Sequence, residues 1–233
     1  MKIVVINGNS NLEASQNIEK SARSVIDSKT QLVMVTPEDA PKAIEGYYSE
    51  TLSAKAVLEE VARHKEQADA YVLACFSDPG LHAARSIVNV PVIGIAEAAM
   101  HTAVQIAHNF SILTPLHRFH SILMRLVRSY HMEDYCAGVE TFEAHVSEAA
   151  SQSEDIYGMC LKIARIAVGQ KNAESVILGG AVMAGMEQRL TIELGVPVLD
   201  PVKCAVAEAE KLAKLGLMTS KTGGYAVPFS VNH

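Results

Sequence analysis

No run of this sequence approaches the ~18 consecutive apolar residues that a membrane-spanning helix needs. The opening MKIVVINGNSN turns polar after four apolar residues, so neither a spanning segment nor a secretory leader is expected, and the location implied is cytoplasmic. Positive charge is not in excess either: 20 Lys and Arg stand against 26 Asp and Glu. Affinity for nucleic acid comes largely from clustered cations that release counterions from phosphate, so no nucleic-acid partner is expected. The four cysteines, Cys75, Cys136, Cys160 and Cys204, form no CxxC pair. A chain of this length needs no staples, so all four should be free thiols. Gly8, Gly179, Gly180 and Gly185 compose neither GxGxxG nor a Walker loop, which argues against a bound nucleotide. His117 and His120, like His101 and His108, have no carboxylate or cysteine at ligand spacing, so no metal is expected.

What is present is ample apolar material. With 49% hydrophobic and 20% charged residues among 233, the chain can bury a sizeable core and is not disordered. Short runs rich in Val and Ile alternate with longer amphipathic segments, the pattern of β-α-β units and a mainly parallel sheet covered on both faces. Strands are expected over 2–6, 30–35, 70–74, 92–95, 110–113, 175–178 and 198–199. Helices are expected over 11–26, 51–67, 79–88, 122–130, 156–169, 186–194 and 205–215. The fold class is α/β.

The rhythm also repeats. Tyr71 to Cys75 aligns with Val176 to Gly180 at an offset of 105, Val90-Pro91-Val92-Ile93 with Val196-Pro197-Val198-Leu199 at 106, and Ile3 to Ile6 with Phe110 to Leu113 at 107. Three segments agreeing this closely imply two pseudo-symmetric lobes, each a mainly parallel sheet flanked by helices. The first would comprise residues 1–98 plus 207–233, the second 99–206. Open α/β sheets bind ligands outside their strand carboxyl ends, so the active site is expected in the cleft between the lobes. Cys75 and Gly180 would flank it as symmetry mates.

Cys75 ends a strand and precedes Phe76-Ser77-Asp78-Pro79-Gly80. Ser77 or Asp78 suits a helix N-cap and Pro79 the first helical position. A thiol just before a helix N-terminus would feel the positive end of the dipole, and its pKa should fall. That makes Cys75 a candidate nucleophile or base, while the other three cysteines read as packing.

These residues also carry a family resemblance. The run from Cys75 to Leu81, followed by Pro91-Val92-Ile93-Gly94-Ile95-Ala96-Glu97-Ala98-Ala99, resembles the hydantoin and allantoin racemases of the aspartate/glutamate racemase superfamily. So do Ile6-Asn7-Gly8-Asn9-Ser10, the loop from Ala43 to Tyr48, and Phe110-Ser111-Ile112-Leu113-Thr114. The resemblance implies a racemase that needs no cofactor, a cysteine in each lobe with the substrate ring held between, and a homo-oligomer. Two positions depart from the family pattern. Gly8 and Ser10 stand within an opening that usually reads Asn-Pro-Asn-Thr, and Gly180 stands where the second cysteine belongs.

Inverting a hydantoin at C5 requires a proton to leave one face and return to the other, hence two groups on opposite sides. Glycine supplies none, so two-base racemisation should be impaired in this chain. Asn9, Ser10 and Thr114 are expected to hold the imide atoms, and Ile44 and Tyr48 to shape the side-chain pocket. Phe76, Ser77, Ala181 and Val182 should contact substrate at the strand ends, where the turns offer N–H groups to a developing oxyanion. Two alternatives share these residues: a one-cysteine decarboxylase or isomerase of the same superfamily, and a non-catalytic small-molecule binder.

Overall fold

The computed structural model describes residues 1–65, 67–145, 149 and 151–227. Its first sheet comprises β1 (Lys2–Asn7), β2 (Gln31–Val35), β3 (Ala70–Ala74) and β4 (Val92–Gly94), in the order β2-β1-β3-β4. The second comprises β5 (Phe110–Pro115), β6 (Cys136–Phe142), β7 (Val176–Leu178) and β8 (Val198–Leu199), in the order β6-β5-β7-β8. All pairings are parallel. Covering these sheets are α1 (Leu12–Arg23), α2 (Tyr47–Arg63), α3 (Leu81–Ile87), α4 (Ile95–Ile106), α5 (Phe119–Ser129), α6 (Glu154–Lys171), α7 (Glu187–Leu194) and α8 (Pro201–Lys214). Parallel strands covered on both faces must be apolar throughout, and β3, AYVLA, is buried at every residue. The N-cap residue's own side chain starts three of the helices: Asn11 for α1, Ser153 for α6, and Asp200 for α8 with Pro201 in its first turn.

The repeat holds at the level of register. Val4 pairs with Tyr71 in the first sheet, and the offsets of 107 and 105 carry that pair onto Ser111 and Val176, which pair in the second. Tyr71 with Val92 maps likewise onto Val176 with Val198. The molecule is therefore two similar α/β lobes. One apolar cluster runs through both, from Ile3, Val72 and Ile93 to Phe110, Ile112 and Ile177, with Met100 of α4 and Val202 and Val206 of α8 among its members. Helix α8 packs on β3, β4 and α4.

Two elements were not expected from the sequence. The segment IAEAAMHTAVQI forms α4, which buries Ile95, Ala96, Ala98, Ala99, Met100 and Ala103. Its strongly polar residues, Glu97, His101 and Gln105, form only a narrow stripe at four-residue spacing in a segment otherwise dominated by small and apolar residues. Strand β6 lies at a sheet edge, and its register slips between Phe110 and Ser111 so that Ala137 has no partner. That bulge breaks the alternation by which a strand is recognised. Beyond α8, Thr219 bonds to the carbonyls of Asn89 and Val90, and Tyr225 stacks on His82 of α3 with ring centroids 6.0 Å apart. The final six residues of the tail, 228–233, lie outside the described residues. No helix among the described residues is long and apolar enough to cross a membrane.

Candidate active site

The carboxyl ends of β1, β3, β5 and β7 converge on one pocket. Asn9 enters it from beyond β1, Ala74, Cys75 and Phe76 from the end of β3, Thr114 and Pro115 from β5, and Gly179 to Val182 from beyond β7. Ala14, Ile18, Ile44 and Phe119 close it. Its volume is about 50 Å³, room for a few water molecules and below the ~300 Å³ of a typical ligand pocket. Among the described lining residues none is charged, and Cys75 is the one with a titratable side chain.

Sequence expectation and structure differ at the turn after β3. Neither Ser77 nor Asp78 caps α3; that position belongs to Gly80, in the left-handed conformation with φ 77°. Leu81 opens the helix, so Pro79 lies outside it. The Asp78 N–H turns back to the Cys75 carbonyl at 2.9 Å, and the Asp78 carboxylate points to another helix. Its Oδ1 accepts from the Ala96 N–H (3.1 Å) and its Oδ2 from the Glu97 N–H (2.9 Å), capping α4, while Tyr130 Oη donates to Oδ2 at 2.7 Å. Burial pushes the Asp78 carboxyl up to about 7.

The expected lowering of the Cys75 pKa is overturned as well. Burial pushes the thiol up to about 11. Hydrogen bonds from Ser77, whose Oγ lies 3.6 Å from Sγ, oppose the rise, and the charges of Asp78 and Glu50 add to it. The helix that was to lower the pKa begins six residues downstream, too far for its dipole to act. Cys75 is thus a thiol at neutral pH, an acid at rest. Opposite, the chain passes so close that a Cβ on Gly8 would stand 2.6 Å from Cys75 Cβ.

On the second lobe's side, Gly180 is extended, with φ −172°. A Cβ there would meet Val182 Cγ2 at 3.6 Å, Met183 Cε at 3.7 Å and Pro115 Cδ at 3.9 Å, all ordinary contacts. Ala181 and Val182 open the 3-10 turn Ala181–Met183, where the first N–H groups have no acceptor within the turn. The remaining N–H groups of these turns are committed, Met183 to Gly180, Ala184 to Ala181 and Gly185 to Asp200. The Thr114 hydroxyl donates to the Gly179 carbonyl at 2.9 Å and keeps only acceptor capacity for a ligand. Asn9 Oδ1 accepts from Asn7 Nδ2 (3.1 Å) and the Asn11 N–H (3.0 Å), which leaves its own Nδ2 without a partner among the described residues.

The structure thus brings Asn9, Ile44, Cys75, Phe76, Thr114, Gly180, Ala181 and Val182 together. It does not bring Ser10, Tyr48 or Ser77 into the lining. Ser10 binds the Pro41 carbonyl through its N–H, and Ser77 lies behind the thiol on the face toward α2 and α5. Tyr48 is 80% exposed, because α2 begins at Tyr47 and turns this side chain to solvent. Asn7, Asp78 and Tyr130 were missed. Asp78 lies inside the motif that drew attention to Cys75, whereas nothing in the sequence links it to Tyr130, 52 residues away. All four cysteines are free. Among the described residues no group of three or more His, Cys, Asp or Glu could hold a metal ion.

Two like parallel-sheet lobes that meet at their strand ends around a thiol-bearing pocket define the two-lobe α/β racemase class. A family model described as Asp/Glu/Hydantoin racemase matches residues 3–209. The hydantoin racemase of Pseudomonas sp. (strain NS671) is 42% identical over 229 residues, covering 98% of this chain and 92% of that protein. The hydantoin racemase of Paenarthrobacter aurescens is 37% identical, with 98% of each chain covered. Among solved structures, allantoin racemase from Klebsiella pneumoniae superposes with a TM-score of 0.95 at 39% identity, covering 98% of this chain and 94% of that one. The chain belongs to the Asp/Glu/hydantoin racemase family, whose racemases are isomerases.

Proposed function

We propose that this chain transfers a proton at C5 of 5-substituted hydantoins, of the hydantoin or allantoin type, with Cys75 as its acid and base. The observation that carries the reading is the pair facing the pocket: one thiol, and a glycine at its symmetry mate. Substrate would lie between a first lobe of residues 1–98 and 207–233 and a second of 99–206. The C5–H bond breaks, its electron pair passes into the adjacent ring carbonyl, and the Cys75 thiolate takes the proton. The Ala181 and Val182 N–H groups are suitably free to receive the oxyanion. Reprotonation then comes from the same thiol on the same face, because Gly180 offers nothing on the other. An uncharged lining suits a neutral ring better than a free amino acid, whose carboxylate would be buried without a cation. The reading includes a homo-oligomer in the cytoplasm and no cofactor.

Gly180 also favours a second reading, in which the single thiol protonates a carbanion formed by loss of CO₂. Incubation with an enantiopure 5-substituted hydantoin in D₂O separates these. The expected result is deuterium at C5 with little loss of optical rotation, abolished in Cys75→Ser because a hydroxyl is far less acidic than a thiol. Exchange that persists in Cys75→Ser refutes the assignment. No exchange on any hydantoin, with CO₂ released from an α-disubstituted malonate, supports the decarboxylase, and silence in both assays indicates a binder.

A further inference from the structure

Two buried carboxylates stand at the junction of the lobes, and the repeat relates their places. The 106-residue offset that carries Val92 onto Val198 carries Gly94, the end of β4, onto Asp200, the residue after β8. Asp200 Oδ1 accepts from the N–H groups of Val202 (2.8 Å) and Lys203 (3.4 Å), capping α8. Its Oδ2 accepts from the Gly185 N–H (2.9 Å), which belongs to the turn carrying residue 180, and from Ser21 Oγ (2.5 Å) of α1 in the other lobe. Gly94 has no side chain, and a Cβ there would overlap the carboxyl group of Asp78. Asp78 therefore fills, from the turn carrying residue 75, the place that Asp200 fills in the second lobe. It caps α4 and takes its hydroxyl from Tyr130, at the end of α5, again in the other lobe. Each carboxylate ends a helix, ties down a strand-end turn of its own lobe and receives a hydroxyl from the opposite one. A helix cap alone needs only the first.

We propose that Asp78 with Tyr130, and Asp200 with Ser21, are positioning residues: a reciprocal pair of cross-lobe latches that hold residues 75 and 180 at fixed places on either side of the pocket. This rests on the reading that those two residues face the substrate carbon. The groups around the latches are few. Cys75 is faced by Ser77 and Asp78 of its own turn and by Glu50 of α2. Asp78 is faced by Tyr130 of α5 and Glu97 of α4, and Glu97 is paired with Arg85 of α3 at 2.5 Å. Asp200 is faced by Ser21 of α1 and by Glu187 of α7, which pairs with Lys203 of α8 at 2.6 Å. The Tyr130 hydrogen bond favours the ionised form of Asp78, and that charge in turn disfavours the Cys75 thiolate.

Tyr130→Phe and Ser21→Ala each delete one oxygen outside the pocket, and both are tested in the full chain. The first readout needs no substrate: the rate of Cys75 alkylation by iodoacetamide against pH. In the native chain its rise with pH should flatten near pH 7, where Asp78 acquires charge, and in Tyr130→Phe this inflection should move to higher pH. For Ser21→Ala the equivalent reporter is a thiol introduced by Gly180→Cys, whose alkylation rate should change several-fold when the latch is cut. The second readout is deuterium exchange, in which Tyr130→Phe should lose about tenfold or more in kcat with KM within twofold, and Ser21→Ala made in the Gly180→Cys chain should lose inversion to the same degree, since misplacement by ~1 Å can cost ~10²-fold. Unchanged alkylation profiles and unchanged kcat, with only Tm lowered, would reduce both carboxylates to helix caps and overturn the proposal. If the native chain exchanges no hydantoin, the functional reading fails while the alkylation profiles still decide the latches.

Discussion

Gly180→Cys is the perturbation on which the functional reading stands most exposed. The backbone at residue 180 has φ −172°, extended geometry that any residue adopts, and a new Cβ would find its nearest neighbours at 3.6, 3.7 and 3.9 Å. No overpacking cost is therefore due. Replacing glycine where the native backbone is compatible restricts the unfolded chain and stabilises by ~0.4–1 kcal/mol, so Tm should hold or rise slightly. The new thiol would project from the opposite side of the pocket to Cys75. A second proton-transfer group contributes typically ~10²–10⁴-fold, and even the lower figure corresponds to about 2.7 kcal/mol of barrier. The assay follows one enantiopure hydantoin in D₂O by NMR and polarimetry together. Native protein should incorporate deuterium while rotation persists, and Gly180→Cys should lose rotation in step with incorporation. Rapid racemisation by the native chain would mean that another residue supplies the second proton. A Gly180→Cys protein that folds, binds and exchanges but does not invert would mean that residue 180 does not face the carbanion.

Other expectations follow from the same geometry. The Cys75 thiol is pushed up to about 11, so C5 exchange should keep accelerating between pH 8 and 10, about tenfold per unit, and a plateau below pH 8 would contradict the burial argument. The sign for stability follows from the same shift: the folded chain holds this proton more tightly than the unfolded one, so the contribution is lost as pH rises through about 11. Thr114→Val deprives the buried Gly179 carbonyl of its 2.9 Å donor and should cost ~1–3 kcal/mol in denaturant unfolding, a change below ~0.5 being incompatible with the observed bond. Gly8→Ala drives a methyl to 2.6 Å from Cys75 Cβ, so stability should fall by ~1–3 kcal/mol and exchange with it, and a variant as stable and active as the native chain would show the approach to be looser than described.

How far the sequence could be read is set by the range of the interactions concerned. The eight strands follow local composition except β6, where the bulge at Ala137 and an edge position remove the alternating pattern. The repeat was legible because each strand's residue pattern is local and recurs after 105–107 residues, and the pairs Val4–Tyr71 and Ser111–Val176 correspond under those offsets. The turn after β3 misled because Ser77, Asp78 and Pro79 carry strong cap signals that are spent elsewhere: Asp78 caps α4, not the helix that follows it. At residue 94 the repeat places glycine where the second lobe has its own capping carboxylate, Asp200, and the carboxylate that reaches the start of α4 comes from Asp78 instead. Gly94 and Asp78 are separated by 16 residues in sequence and joined in space. The consequence for the chemistry is direct. The carboxylate that reaches the start of α4 sits three residues from the thiol, and its charge adds to a rise in the Cys75 pKa that burial chiefly causes.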